Sequence, residues 1–204
     1  MLMSARKYLR IIEKLHPYQT IMYLGMFGSG LIFLFLALAF FFTHNPALIH
    51  LNEIRMPYAF LISSIVMVGS GFYVGRLIPL FEQEKFWEVR KMLSITLMLG
   101  LLFIVLQVIG WIELGDMGLH FTGIPYSSFL YVLTGIHIFH LLGALIYGLM
   151  ITFYFNKIKN DTVKVFLVMI NPFEKMKLSL FTLYWYFMDG IWLVLFILFF
   201  LSFN

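Results

Sequence analysis

Residues 20–42, TIMYLGMFGSGLIFLFLALAFFF, contain no Asp, Glu, Lys or Arg. A helix of ~20 apolar residues crosses the ~30 Å hydrocarbon core of a bilayer, and here the apolarity runs all round rather than along one stripe, as in a membrane helix. Four further stretches share this character, at about 57–76, 92–113, 124–155 and 178–202. The second and third carry charge only at their last positions, Arg76 and Glu113. Tyrosines aside, the fourth holds His137 and His140 as its titratable groups, and the fifth holds Asp189.

The whole composition agrees with that reading. Of 204 residues, 62% are hydrophobic and 12% charged, more apolar surface than a soluble fold of this length can bury. The net charge of +4 belongs to basic residues that flank apolar spans, which argues for lipid-adjacent charge and against nucleic acid. With no cysteine, thiolate metal sites and Cys nucleophiles are excluded. The first residues, MLMSARKYLRIIEKLHPYQ, are basic and amphipathic and lead into a span too long for a signal-peptide core, so they are expected to be retained.

Lys and Arg alternate across the spans: four before the first, then one, four, none, five and none in the successive segments. Thirteen of the fourteen therefore fall on one side, which predicts a cytoplasmic N-terminus, an external C-terminus and an odd number of spans. The expected fold is all-α, an integral membrane bundle of five transmembrane helices forming a single membrane domain over residues 1–204. Small residues mark where helices should meet: Ser63, Ser64, Ser70, Gly71 and Gly75 in the second span, and Gly135, Gly143, Ala144 and Gly148 in the fourth.

A carboxylate at mid-depth costs ~3 kcal/mol even on the lenient insertion scale, so Asp189 must be neutral, paired or turned toward protein. His140 falls at similar depth on the antiparallel fourth span. A His140–Asp189 hydrogen bond or ion pair is expected, with His137 or a tyrosine in reach. Two histidines at i and i+3 share a helix face and also invite a metal, but a closed site wants four ligands. The other histidines, His16, His44, His50 and His120, lie at or beyond span ends, where they cannot supply a second axial haem ligand at mid-depth. The interhelical polar pair is the better reading. Gln107 suits interhelical hydrogen bonding, Glu113 suits a solvated helix end, and the aromatics from Tyr184 to Phe187 suit interface or core packing. Arg76, Lys85, Arg90 and Lys91 form a solvated loop cluster with lipid head groups as a second use.

Three segments together resemble the cytochrome c oxidase subunit III family, in its five-helix form. TGIHIFHLLGAL (134–145) resembles the signature TGxHxxHxxxG, YWYFMDGIWLVLFILFF (184–200) is similar to the closing YWHFxDxxWLxLF helix, and TLMLGLLFIVLQVIGW (96–111) is similar to LGxxFxxxQxxE/W. A weaker likeness is LGMF at 24–27. By position, Gly135, His137, His140, Gly143, Gln107, Trp185, Asp189 and Trp192 match the signatures. The resemblance implies a non-catalytic subunit of a haem-copper terminal oxidase in aerobic respiration, packed on subunit I with other oxidase subunits and a respiratory supercomplex as partners. It also implies phospholipid as a ligand, haem and copper in the partner subunits only, support for proton translocation, and a multi-pass place in the bacterial inner membrane. Trp111, Tyr184, Tyr186 and Arg76 are candidates for lipid or subunit contact.

The sequence departs from the family where carboxylates are expected: Phe33 stands for the glutamate after LGMW, Gly110 for the one three residues past Gln107, and Tyr186 for the histidine of YWHF. No proton-antenna carboxylate is assigned. The alternatives are an accessory subunit of a nitric oxide reductase, and an independent transporter built around Asp189.

Overall fold

The computed structural model describes residues 16–43, 55–123 and 125–203. His44, His50 and most of the basic N-terminal segment lie outside the described residues. Every regular element among them is a helix: α1 (Pro17–Thr43), α2 (Tyr58–Val74), α3 (Leu77–Glu82), α4 (Phe86–Asp116), α5 (Pro125–Ile158), α6 (Thr162–Met169) and α7 (Pro172–Phe203). Among the described residues five helical stretches are long and apolar enough to cross a membrane: α1, Tyr58–Glu82, α4, α5 and α7.

The helices outrun the predicted spans at the lysine-rich end. α4 begins at Phe86 rather than about 92, and α7 at Pro172 rather than about 178. Hydropathy detects the apolar part alone, whereas the backbone stays helical through a charged turn until a proline or a cap stops it. Pro172 opens α7, where its missing N–H has no intrahelical partner to lose. The second span breaks after Val74 and resumes as α3, whose Pro79 sits in the first turn, where proline is tolerated. The short helix α6 lies in a segment that hydropathy does not mark as a span. Asp161 caps it, accepting from the Lys164 amide at 3.1 Å.

Neighbours in the bundle can be read from their packed pairs. Phe40 lies against Tyr126 and Phe199, Phe103 against His137 and Trp192, and Phe60 against Trp192. Two apolar clusters result. One gathers Leu77, Phe81, Phe86, Phe181 and Trp185 toward the lysine-rich end, and the other gathers Phe33, Phe40, Phe60, Leu114 and Phe199 toward the opposite end. α1 is the least embedded helix: Phe33 and Phe40 are its two buried residues.

Candidate functional site

α5 turns its two histidines to different neighbours. His140 Nδ1 lies 2.9 Å from the Ile136 carbonyl of its own helix. A carbonyl only accepts, so Nδ1 carries the proton, and in the neutral ring Nε2 then accepts from the Ser29 hydroxyl of α1 at 3.0 Å. His137, three residues earlier, is fully buried. Its ring is walled by Phe33, Phe103 and Trp192, with centroids 6.2, 5.5 and 5.3 Å away, and neither ring nitrogen has a hydrogen-bond partner.

Asp189 does not complete a pair with His140, which corrects the expectation from depth alone. The Asp189 carboxyl turns instead to α2, where it lies so close to Gly71 that a Cβ there would stand 2.6 Å from Oδ2. Its Oδ1 is buried without a hydrogen-bond partner. Equal depth fixes the level of two residues but not their rotation about the helix axes, and here His140 faces α1 while Asp189 faces α2. The histidines do not converge on a common ion either: both His140 nitrogens are engaged, and His137 faces carbon. Among the described residues no group of three or more His, Cys, Asp or Glu is placed to hold a metal.

What binds the helices is a set of hydroxyl relays on α2. Trp192 Nε1 donates to Ser64 Oγ at 2.9 Å, Trp185 Nε1 to Ser70 Oγ at 2.9 Å, and Gln107 Nε2 to Ser63 Oγ at 2.8 Å. Each serine in turn donates to a carbonyl of its own helix, Ser63 and Ser64 to Phe60 and Ser70 to Met67. The serines were legible as small packing residues; their acceptor role was not. The available signal was the step of seven between Trp185 and Trp192, facing the step of six between Ser64 and Ser70 on an antiparallel helix. A fourth bond of this kind ties Trp111 Nε1 to Thr134 at 2.9 Å, joining α4 and α5.

The remaining candidates scatter. Tyr184 reaches the His140 carbonyl through its hydroxyl at 3.4 Å, a long bond. Tyr186 is 47% exposed and sets its hydroxyl against Gly75. Arg76 stacks over the Phe72 ring at 4.3 Å. Gly135 packs near Trp111, whereas Gly143 faces open space rather than a tight helix crossing. Glu113 is partly buried and sets Oε2 3.5 Å from the Ala59 amide, at the otherwise uncapped start of α2.

The residues at the two positions where the resemblance implies a carboxylate are both set by packing. Phe33 is buried against the rings of His137 and His140, at the place where an acid on α1 would meet them. Gly110 is covered by the Phe60 ring so closely that a Cβ added there would overlap it, and the ring must shift before a side chain fits.

Between α1, α5 and α7 opens a cleft of about 600 Å³, lined by Met22, Gly25 and Ser29 on one side and Tyr147, Phe173, Lys177 and Tyr184 on the other. Lys177 lies 5.0 Å above the Phe173 ring and is paired with Glu174 at 2.7 Å. The cleft is thus an apolar slot with a charged pair at one end and the Ser29–His140 bond beside it.

This arrangement defines an α-helical membrane bundle tied by buried hydrogen bonds and indented by apolar clefts. No family model matches the chain. It is similar to the protein described as cytochrome c oxidase subunit 3 of Corynebacterium diphtheriae, 26% identical over 146 residues, covering 72% of this chain and 66% of that one. It is also similar to the probable cytochrome c oxidase subunit 3 of Nocardia farcinica, 28% identical over 131 residues, and to that of Mycobacterium tuberculosis, 26% over 133. The match spans 60–66% of the length of these relatives. Their names agree with the family that the three signature segments resemble.

Proposed function

We propose that the chain is a non-catalytic membrane subunit of a cytochrome c oxidase, set against the haem- and copper-bearing subunit I and holding phospholipid. The observation that carries this reading is convergence. The signature segments of α4, α5 and α7 meet around His137, with Phe103 and Trp192 on its faces, and relatives bearing the subunit 3 name match much of the chain. Such a centre gives rigidity, not electron transfer. The cleft supports the lipid role: acyl chains fit its apolar walls, and the cationic group of Lys177 suits a phosphate at its mouth. Tyr18 and Phe173 would flank the head group. The lysine-rich end is assigned to the cytoplasmic side of a bacterial plasma membrane, on the positive-inside rule.

The test is purification of the tagged chain from its native membrane in mild detergent, followed by identification of the copurifying subunits. A haem-copper subunit I in stoichiometric yield supports the proposal. Isolation of the chain alone, or with nitric oxide reductase subunits, overturns it. A Soret band in the separated polypeptide would overturn its non-catalytic part.

A further inference from the structure

The short helix α6, TVKVFLVM, presents two apolar faces. Val165, Val168 and Met169 pack against the bundle core. On the opposite side Val163, Phe166, Leu167 and Ile170 are 68, 53, 54 and 50% exposed. Their spacing of i, i+3, i+4, i+7 makes a single stripe on the helix surface. A water-facing loop helix would carry polar residues there.

Where this stripe can go is limited by its tethers. Only residues 159–161 separate α6 from the end of α5, and residues 170–171 from the start of α7. Three extended residues reach ~10 Å, so α6 stays within that distance of the ends of two membrane-spanning helices. The charges beside it are mostly basic. Lys164 is paired with Asp161, Lys175 with Glu82 and Lys177 with Glu174, while Lys157 and Lys159 have no ion pair among the described residues.

We propose that α6 is an in-plane membrane anchor, its Val163, Phe166, Leu167 and Ile170 stripe sunk in the acyl boundary of the adjoining leaflet and Lys157 and Lys159 engaging anionic head groups. An apolar stripe on a tethered helix, flanked by unpaired lysines, matches the composition of interfacial helices, which bury that face ~5–10 Å below the head groups. The lysines match the negative charge of anionic lipid. This anchor does not depend on which complex the chain joins.

The chain has no cysteine, so a single introduced thiol reports one place. The full chain carrying Phe166→Cys, labelled with an environment-sensitive fluorophore, is reconstituted in vesicles of phosphatidylcholine with phosphatidylglycerol. Expected is several-fold stronger quenching by lipids spin-labelled near the carbonyl region than by aqueous iodide, with the reverse order for Lys164→Cys on the flank of the stripe. Raising the phosphatidylglycerol fraction should deepen the label at position 166, and Lys157→Gln with Lys159→Gln should abolish that response. A label at 166 open to iodide overturns the anchor, as does one shielded only after a partner protein assembles. Persistence of the phosphatidylglycerol response in the double variant overturns the head-group part. Phe139→Cys, on the exposed face of α5 in mid-span, is the control, read with lipids spin-labelled near the acyl terminus: loss of their quenching there would mean that the spanning assignment had failed instead.

Discussion

The indole nitrogen of Trp192 donates to Ser64 Oγ at 2.9 Å while Ser64 donates to the Phe60 carbonyl at 2.8 Å, so one hydroxyl joins α7 to the backbone of α2. Removing the acceptor strands a buried N–H. Ser64→Ala should destabilise the bundle by about 1–3 kcal/mol. A double-mutant cycle with Trp192→Phe, read by unfolding in mixed micelles, should return a coupling of about 0.6 kcal/mol, with ~1.7 as an upper figure for hydrogen bonds between membrane helices. Zero coupling would mean that the bond is not formed.

Asp189 and Gly71 form a second measurable pair. A methyl group at position 71 meets Oδ2, so Gly71→Ala should lose about 1–3 kcal/mol by overpacking. In an Asp189→Ala background most of that loss should vanish. Because His140 is held by Ser29 and Ile136, Asp189→Ala should leave the imidazole nitrogen signals of His140 unchanged in a ¹⁵N spectrum. A shift there would restore the direct pairing that depth alone suggests.

Gly110 lies beneath the Phe60 ring, and that contact governs what the position accepts. Gly110→Ala should cost about 1–3 kcal/mol in thermal melting in micelles, and Gly110→Glu should prevent accumulation of the folded chain. Placing a carboxylate at 110 therefore requires a smaller residue at 60 as well. Normal accumulation of Gly110→Glu by itself would refute the packing account.

Asp161, outside the spans, carries the pH dependence of α6. Hydrogen bonds from the Lys164 side chain, then from its amide, hold the carboxyl below the usual carboxylate range. A depressed value means that the cap is fully present above the ordinary carboxylate pKa and is lost as pH falls through the lowered one. Amide exchange at residues 163–165, corrected for its intrinsic pH dependence, should accelerate only below that point. Asp161→Asn should remove the transition while retaining part of the cap, since asparagine also caps helices.

The number and order of the long helices were legible because a bilayer imposes a length and an apolarity that few other structures need. Their charged ends were not, since hydropathy falls before the hydrogen-bond ladder does. α6 escaped for a related reason: VKVFLVM is too short to span and sits in a segment noticeable mainly for its lysines. At the site, Gln107 was recognisable as an interhelical hydrogen-bonding residue and His137 as part of a buried polar group, yet partner choice was not. The Asp189 expectation used depth, one of three coordinates; rotation about the helix axis sends that carboxyl to Gly71. The serine acceptors were similarly hidden, since a hydroxyl reads equally well as a small packing residue and as a hydrogen-bonding one.

The inward bonds of Ser63, Ser64 and Ser70 to their own helix bear on how such a protein is made. A hydroxyl that already donates to a carbonyl one turn back can enter hydrocarbon without an unsatisfied proton. α2 is therefore ready to be inserted as it leaves the ribosome, long before Trp185 and Trp192 have been synthesised. Its serines wait with lone pairs open until Gln107 and the two tryptophans arrive, and α7 then locks the rotation of α2.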